Sequence, residues 1–180
     1  MKMQKSACLV LAFMATSVIP ARAESPIGYR FRADLQGTTR LVAVPEGRCE
    51  DAPGQAPTVG LLEVSGAGES NLLGPVIDKQ SHCVRQDGTF YDGRFTLTNA
   101  AGRTLRGRYF GVLDATFNAS LSASGPAGPW LVKGEVCISG GDIVDVVNTC
   151  ARGIYAPARG IANLSTGDAT IFLDQTVKVR

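Results

Sequence analysis

Apolar and polar residues alternate with a period of two along most of the chain. Phe31, Ala33 and Leu35 interleave with Arg30, Arg32 and Asp34. Phe95 and Leu97 interleave with Arg94, Thr96 and Thr98, and Ala169, Ile171, Leu173 and Val177 with Asp168, Thr170, Asp174 and Thr176. Successive side chains on a strand point to opposite faces, so each run predicts a strand buried on one side and wetted on the other. Turn signals separate the runs: Asp87-Gly88, Asp92-Gly93, Gly125-Pro126, Gly128-Pro129, Gly140-Gly141 and Thr166-Gly167-Asp168. Strands are expected near residues 28–35, 38–44, 57–65, 74–84, 89–98, 104–113, 116–123, 130–138, 153–163 and 168–178. Many short strands at this rhythm predict an all-β protein, an antiparallel sandwich or barrel. Residues 46–57, rich in proline, glycine and acids, read as a loop pinned at Cys49, and residues 142–148 fit either a strand or a short helical turn.

The first 23 residues stand apart from this pattern. Lys2 and Lys5 form a basic start, residues 7–19 are an apolar run, and Ala21-Arg22-Ala23 offers the small-x-small site at which a signal peptidase cuts. The apolar run is shorter than the roughly 20 residues that span a bilayer, and Pro20 breaks it. The chain therefore reads as a signal peptide over 1–23 and one β-barrel domain over 24–180, secreted or periplasmic, with no transmembrane segment.

Charge and cysteine count change meaning once that leader is set aside. Three of the 18 Lys and Arg (Lys2, Lys5 and Arg22) lie in it and none of the 16 acids does, so the remaining chain is close to neutral. A near-neutral domain without a basic run gives no electrostatic case for nucleic acid. Of the five cysteines, Cys8 goes with the leader and Cys49, Cys83, Cys137 and Cys150 remain. An even number in an exported chain reads as a disulfide framework. Three pairings are possible. Cys49 with Cys83 and Cys137 with Cys150 are expected, because each pair brackets one compact stretch that neighbouring strands can close. Loop entropy then gives roughly 3–4 kcal/mol per bridge. Without a C-x-x-C pair, and with His82 as the sole histidine, a metal site is not expected.

The same scarcity limits catalysis. His82 is the only imidazole, and its neighbours Ser81 and Cys83 project to the opposite face of a strand, so no nucleophile–base pair forms locally. His82 itself is expected to be a partly exposed strand residue. No G-x-S-x-G, phosphate-cradling loop or H-E-x-x-H is present. On the strand at 104–113, Leu105, Gly107, Tyr109, Gly111 and Leu113 share one face, read as the lumen, and Arg106, Arg108, Phe110 and Val112 the other. Ala156, Ala158, Gly160 and Ala162 give a second wall of small side chains, which either match bulky residues opposite or leave a cavity. Pro157 is expected at a bulge or barrel opening. A phenol inside needs a hydrogen-bond partner. Tyr109 and Gln175, which shares the inward parity of the last strand, are the candidate ligand-binding residues.

From about residue 66 to 177 the order of motifs resembles bacterial exported proteins related to the allene-oxide-cyclase and dirigent β-barrels. The residues that carry it are Gly66-Ala67-Gly68, Leu72-Leu73-Gly74, Ser81-His82-Cys83 and the run over 93–111 (GRFTLTNAAGRTLRGRYFG). Gly140-Gly141, Gly160 with Asn163, and Thr166-Gly167-Asp168-Ala169 follow. The family's Gly-Thr-Gly-Arg-Phe segment after the glycine pair is replaced here by Asp142-Ile143-Val144. The resemblance implies one antiparallel barrel of about eight strands and allows a homo-oligomer, but it implies no activity, since such folds host cyclases and proteins without chemistry alike. The functional expectation is non-enzymatic binding of a small apolar ligand, or of an envelope or extracellular partner, without a cofactor. The alternatives are a cofactor-free cyclase or isomerase working in a hydrophobic lumen, and a structural module that oligomerises through its outer strands.

Overall fold

The computed structural model describes residues 28–114, 129–143, 148–163 and 166–178. Eight strands follow one another around a closed antiparallel barrel: β1 (Gly28–Val42), β2 (Thr58–Ser70), β3 (Gly74–Arg85), β4 (Thr89–Asn99), β5 (Thr104–Asp114), β6 (Pro129–Gly141), β7 (Ala156–Asn163) and β8 (Asp168–Lys178). Each bonds to its sequence neighbours, and β8 closes the barrel by pairing with β1 from Thr38–Asp168 to Gly28–Lys178. Closure leaves no edge strand to be blunted. No helix occurs among the described residues.

The alternation read from the sequence is the burial pattern. Phe31, Ala33 and Leu35 on β1, Phe95 and Leu97 on β4, and Leu105 on β5 are buried, as are Val136 and Ile138 on β6 and Leu173 on β8. With Leu73 and Val76 they form one core that fills the lower half of the barrel, the end bearing the β2–β3, β4–β5 and β6–β7 connections.

Two expected strands, 28–35 and 38–44, are one. Gly37, in the gap between those spans, pairs with Gly66 and Ala169, and a Cβ there would meet the carbonyl oxygen of Ser65 at 2.6 Å. Gly66 and Gly68 on β2 likewise have no room for a Cβ against the carbonyls of Gln36 and Asp34. These glycines permit close approach of β1 and β2 in the middle of continuous strands rather than a turn. The last-but-one strand begins at Ala156 rather than 153, and Pro157 sits in an unbroken register opposite Glu135 with no bulge. The strand expected at 116–123 lies outside the described residues, as does most of the undecided segment at 142–148.

Both expected disulfides are present, Cys49–Cys83 and Cys137–Cys150. The loop between β1 and β2 is a strap on the outer face of β3 and β4. Besides Cys49, it is held by Arg48, whose guanidinium donates to Ser81 Oγ and to both the carboxylate and the carbonyl of Asp92. On the other side, Ile138 lies beyond the end of β7. Its N–H donates to Thr149 Oγ1 and its carbonyl accepts from Cys150 N, so the loop carrying Cys150 replaces the missing strand there. Two disulfides, and the absence among the described residues of any helix long and apolar enough to cross a membrane, fit an extracellular or periplasmic protein.

Candidate functional site in the upper lumen

Above the packed core the lumen changes character. A cavity of about 50 Å³ lies in the upper half, walled by Leu62 and Val64 of β2, Leu113 of β5, Val132 of β6, Ala158 and Ala162 of β7, and Ala169 and Ile171 of β8. The small-residue wall read on β7 thus borders open space at Ala158 and Ala162. The polar part of the lining is Gln80 and His82 of β3, Tyr109 of β5, Thr39 of β1 and Arg159 of β7.

The inward face of β3 carries Asp78, Gln80 and His82 at successive inward positions, all buried. His82 was expected to be partly exposed and is instead 7% exposed, facing the lumen. The alternation of β3 runs on without a break and gives His82 the inward parity of Asp78 and Gln80, and a bulge in β4 supplies its cover. The register slips between Ser81 and Cys83 on one side of β4, and between Phe90 and Gly93 on the other, with Asp92 in the left-handed conformation at φ 45°. The extra residue re-aims β4 so that Phe90, Gly93, Phe95 and Leu97 all bury, and His82 sits under that shift beside Phe90, ring centroids 5.0 Å apart.

β5 has the faces its sequence predicts: Leu105, Gly107 and Leu113 are buried, while Arg106 and Arg108 are exposed outside. The space beside the two glycines, however, is already taken. A Cβ on Gly107 would run into the Phe95 ring and the Cys137 carbonyl, and one on Gly111 would meet the Phe90 ring at 2.6 Å. The reciprocal arrangement holds at Gly93, where a Cβ would lie 2.7 Å from the Tyr109 ring. Rings from one strand therefore lie across glycines of the next. Lying over Gly93, Tyr109 spans β4 entirely and places its hydroxyl 2.8 Å from His82 Nδ1 on β3.

This pair was not legible as a pair. Gln175 was the expected partner of the phenol. It is paired by backbone with Phe31, and its side chain lies outside the described residues. The available signal was Gly93, a residue with no side chain standing between two inward-facing polar groups on flanking strands.

Electrostatics follow from burial. Desolvation, with the nearby Arg48 cation adding to it, pushes the His82 pKa down to about 4, so its imidazole is neutral at physiological pH. Desolvation also pushes Asp78 up to about 7, against a lowering effect of the 2.6 Å hydrogen bond from Gln80 Nε2 to Oδ2. Burial drives the Tyr109 phenol well above its ordinary value, the Asp78 carboxyl adds to that, and Arg48 opposes it. Three buried polar atoms among the described residues have no hydrogen-bond partner, His82 Nε2 and Asp78 Oδ1 on the lumen side of β3 and Arg85 Nε at its end. Those residues contain no group of three or more His, Cys, Asp and Glu side chains placed to hold a metal ion.

The arrangement defines a closed β-barrel with an apolar cavity and a neutral His–Tyr pair in its wall. No family model, curated protein or solved structure matches the chain.

Proposed function

We propose that the protein is an exported, non-enzymatic barrel that binds a small apolar ligand in the upper lumen. Its leader is residues 1–23, and its kinship is with the allene-oxide-cyclase and dirigent barrels on the motifs from about residue 66 to 177. The observation that carries the proposal is the cavity itself: small side chains at Ala158, Ala162 and Ala169 keep open a space that larger ones would fill. An apolar cavity is the kind that stays dry and accepts nonpolar guests. At about 50 Å³ it is well below the ~150 Å³ that admits benzene, so the ligand, or the part that enters, is only a few heavy atoms in size.

Xenon is the matching probe. Under xenon pressure, the methyl resonances of Leu62, Val64, Leu113 and Val132 are expected to shift while those of Leu97 and Leu105 in the filled lower half stay still. Ala162→Phe should abolish the shifts and leave the protein folded. Shifts spread evenly over the surface, or none in the upper lumen, would refute the binding reading. The isomerase alternative draws support from one specific observation, the buried His82–Tyr109 pair, which supplies the kind of polar groups such chemistry uses. The oligomerising module draws on the filled lower core.

A further inference from the structure

The His82–Tyr109 contact leaves a proton over. A neutral imidazole carries one N–H and a phenol one O–H, and their mutual hydrogen bond uses only one of these two donors. If the phenol donates to Nδ1, the imidazole proton is on Nε2, the buried atom without a partner. If instead Nδ1–H donates to the phenol oxygen, the phenol O–H is the donor left over. In either tautomer one unspent donor remains beside the apolar cavity that both rings line. An orphaned buried donor has given up its water without a replacement, so an acceptor brought to it gains more than an exposed hydrogen bond would.

From this geometry we infer that the His82–Tyr109 pair receives the carbonyl oxygen of a small neutral ketone or aldehyde whose hydrocarbon part fills the upper lumen. The inference rests on the cavity reading above and adds the ligand's polar group to it. Several features select this class. A carbonyl oxygen is acceptor only, matching the unspent donor of the pair in a lumen walled mostly by hydrocarbon. A carboxylate would have to be desolvated near Asp78, whose own carboxyl sits one inward position beyond Gln80. With the imidazole neutral at physiological pH, an anion finds no formal charge on the pair itself to offset its desolvation. The nearby rings of Phe90 and Tyr109 fix the imidazole in place, with centroids 5.0 and 5.5 Å away, so little ordering is required on binding.

Acetone and its hydrocarbon isostere isobutene, alike in shape and differing in one oxygen, test the inference on the disulfide-intact protein near neutral pH. His82 is the sole histidine of the chain, so its ring nitrogen resonances need no assignment. Acetone is expected to move the His82 ring nitrogen and proton signals, and isobutene to shift lumen methyl groups without moving them in that way. His82→Phe is expected to weaken acetone about tenfold and to leave isobutene as tight or tighter. Should that variant fail to fold, the ring signals of the unaltered protein decide alone. If isobutene enters the lumen while acetone leaves the imidazole signals where isobutene leaves them, the carbonyl inference is overturned and the apolar-ligand reading stands. If neither molecule perturbs the upper lumen, both are overturned.

Discussion

Asp78 and His82 should conceal each other's pH dependence, and replacing Asp78 should expose it. The carboxyl, held at about 7 against an ordinary 3.8, keeps its proton in the folded state where the unfolded chain has lost it. Its contribution therefore makes the fold less stable as pH rises from about 4 to 7. The imidazole, held at about 4 against 6.5, stays neutral in the folded state where the unfolded chain is protonated, so its contribution makes the fold more stable as pH rises through the same window. At about 1.4 kcal/mol per pH unit, each contributes about 3 kcal/mol between pH 4 and 6.5, with opposite sign, and the sum is near zero. Asp78→Asn keeps an acceptor for Gln80 and removes only the titration. Urea unfolding at a series of pH values, followed by the single Trp130, should show the variant gaining about 3 kcal/mol relative to the parent between pH 4 and 6.5. Because the quantity is a difference between two proteins, exposed groups such as Asp87 and Asp142 cancel from it. A difference that stays constant across that window would show that Asp78 is not held protonated by its surroundings and would refute the argument from burial.

Two other outcomes follow from features of the same barrel. Cleaved, exported protein should show no free thiol on alkylation and intact-mass analysis, and opening Cys49–Cys83 should cost more than opening Cys137–Cys150, about 4 against about 3 kcal/mol, because the closed loop is longer, 34 residues against 13. Gly107→Ala should destabilise by about 2 kcal/mol or more, measured by thermal or urea unfolding, since its methyl would collide with the Phe95 ring and the Cys137 carbonyl, neither free to retreat in a packed core; an alanine tolerated there within about 0.5 kcal/mol would contradict the ring-over-glycine packing.

The strands were legible because burial on one face imposes a period that local residues reveal directly: Phe31, Ala33 and Leu35 announce β1 without reference to anything else. Glycines were the ambiguous letters. Gly37 reads locally as a break, but its role is set by Ser65 and Gly66 across the ladder. The lumen face of β5 was legible for the same reason the strands were, and the small wall of β7 left a filled core and a cavity both open, since nothing in it told how far Phe90 and Phe95 would fill the space. The central pair of the site was hidden for a topological reason. His82 and Tyr109 are on strands that are not neighbours, and they meet over Gly93, which lies in line with both on the strand between them, while the bulge at Asp92 turns Phe90 inward beside the imidazole. A period-two reading carries no information about which strand will slip.

The seam between β1 and β8 joins the two ends of the strand sequence, so the cylinder is shut only when the last strand is in hand. Every other pairing joins strands adjacent in sequence and can form as the chain emerges, whereas this one waits. Until then the outer ladder groups of β1 lie open, a template for any extended segment that comes by. Exchange of β8 between two copies would satisfy the same ladder as closure does. The kinetics of the final strand, more than the stability of the finished barrel, then decide whether the product is one cylinder or two interlocked ones.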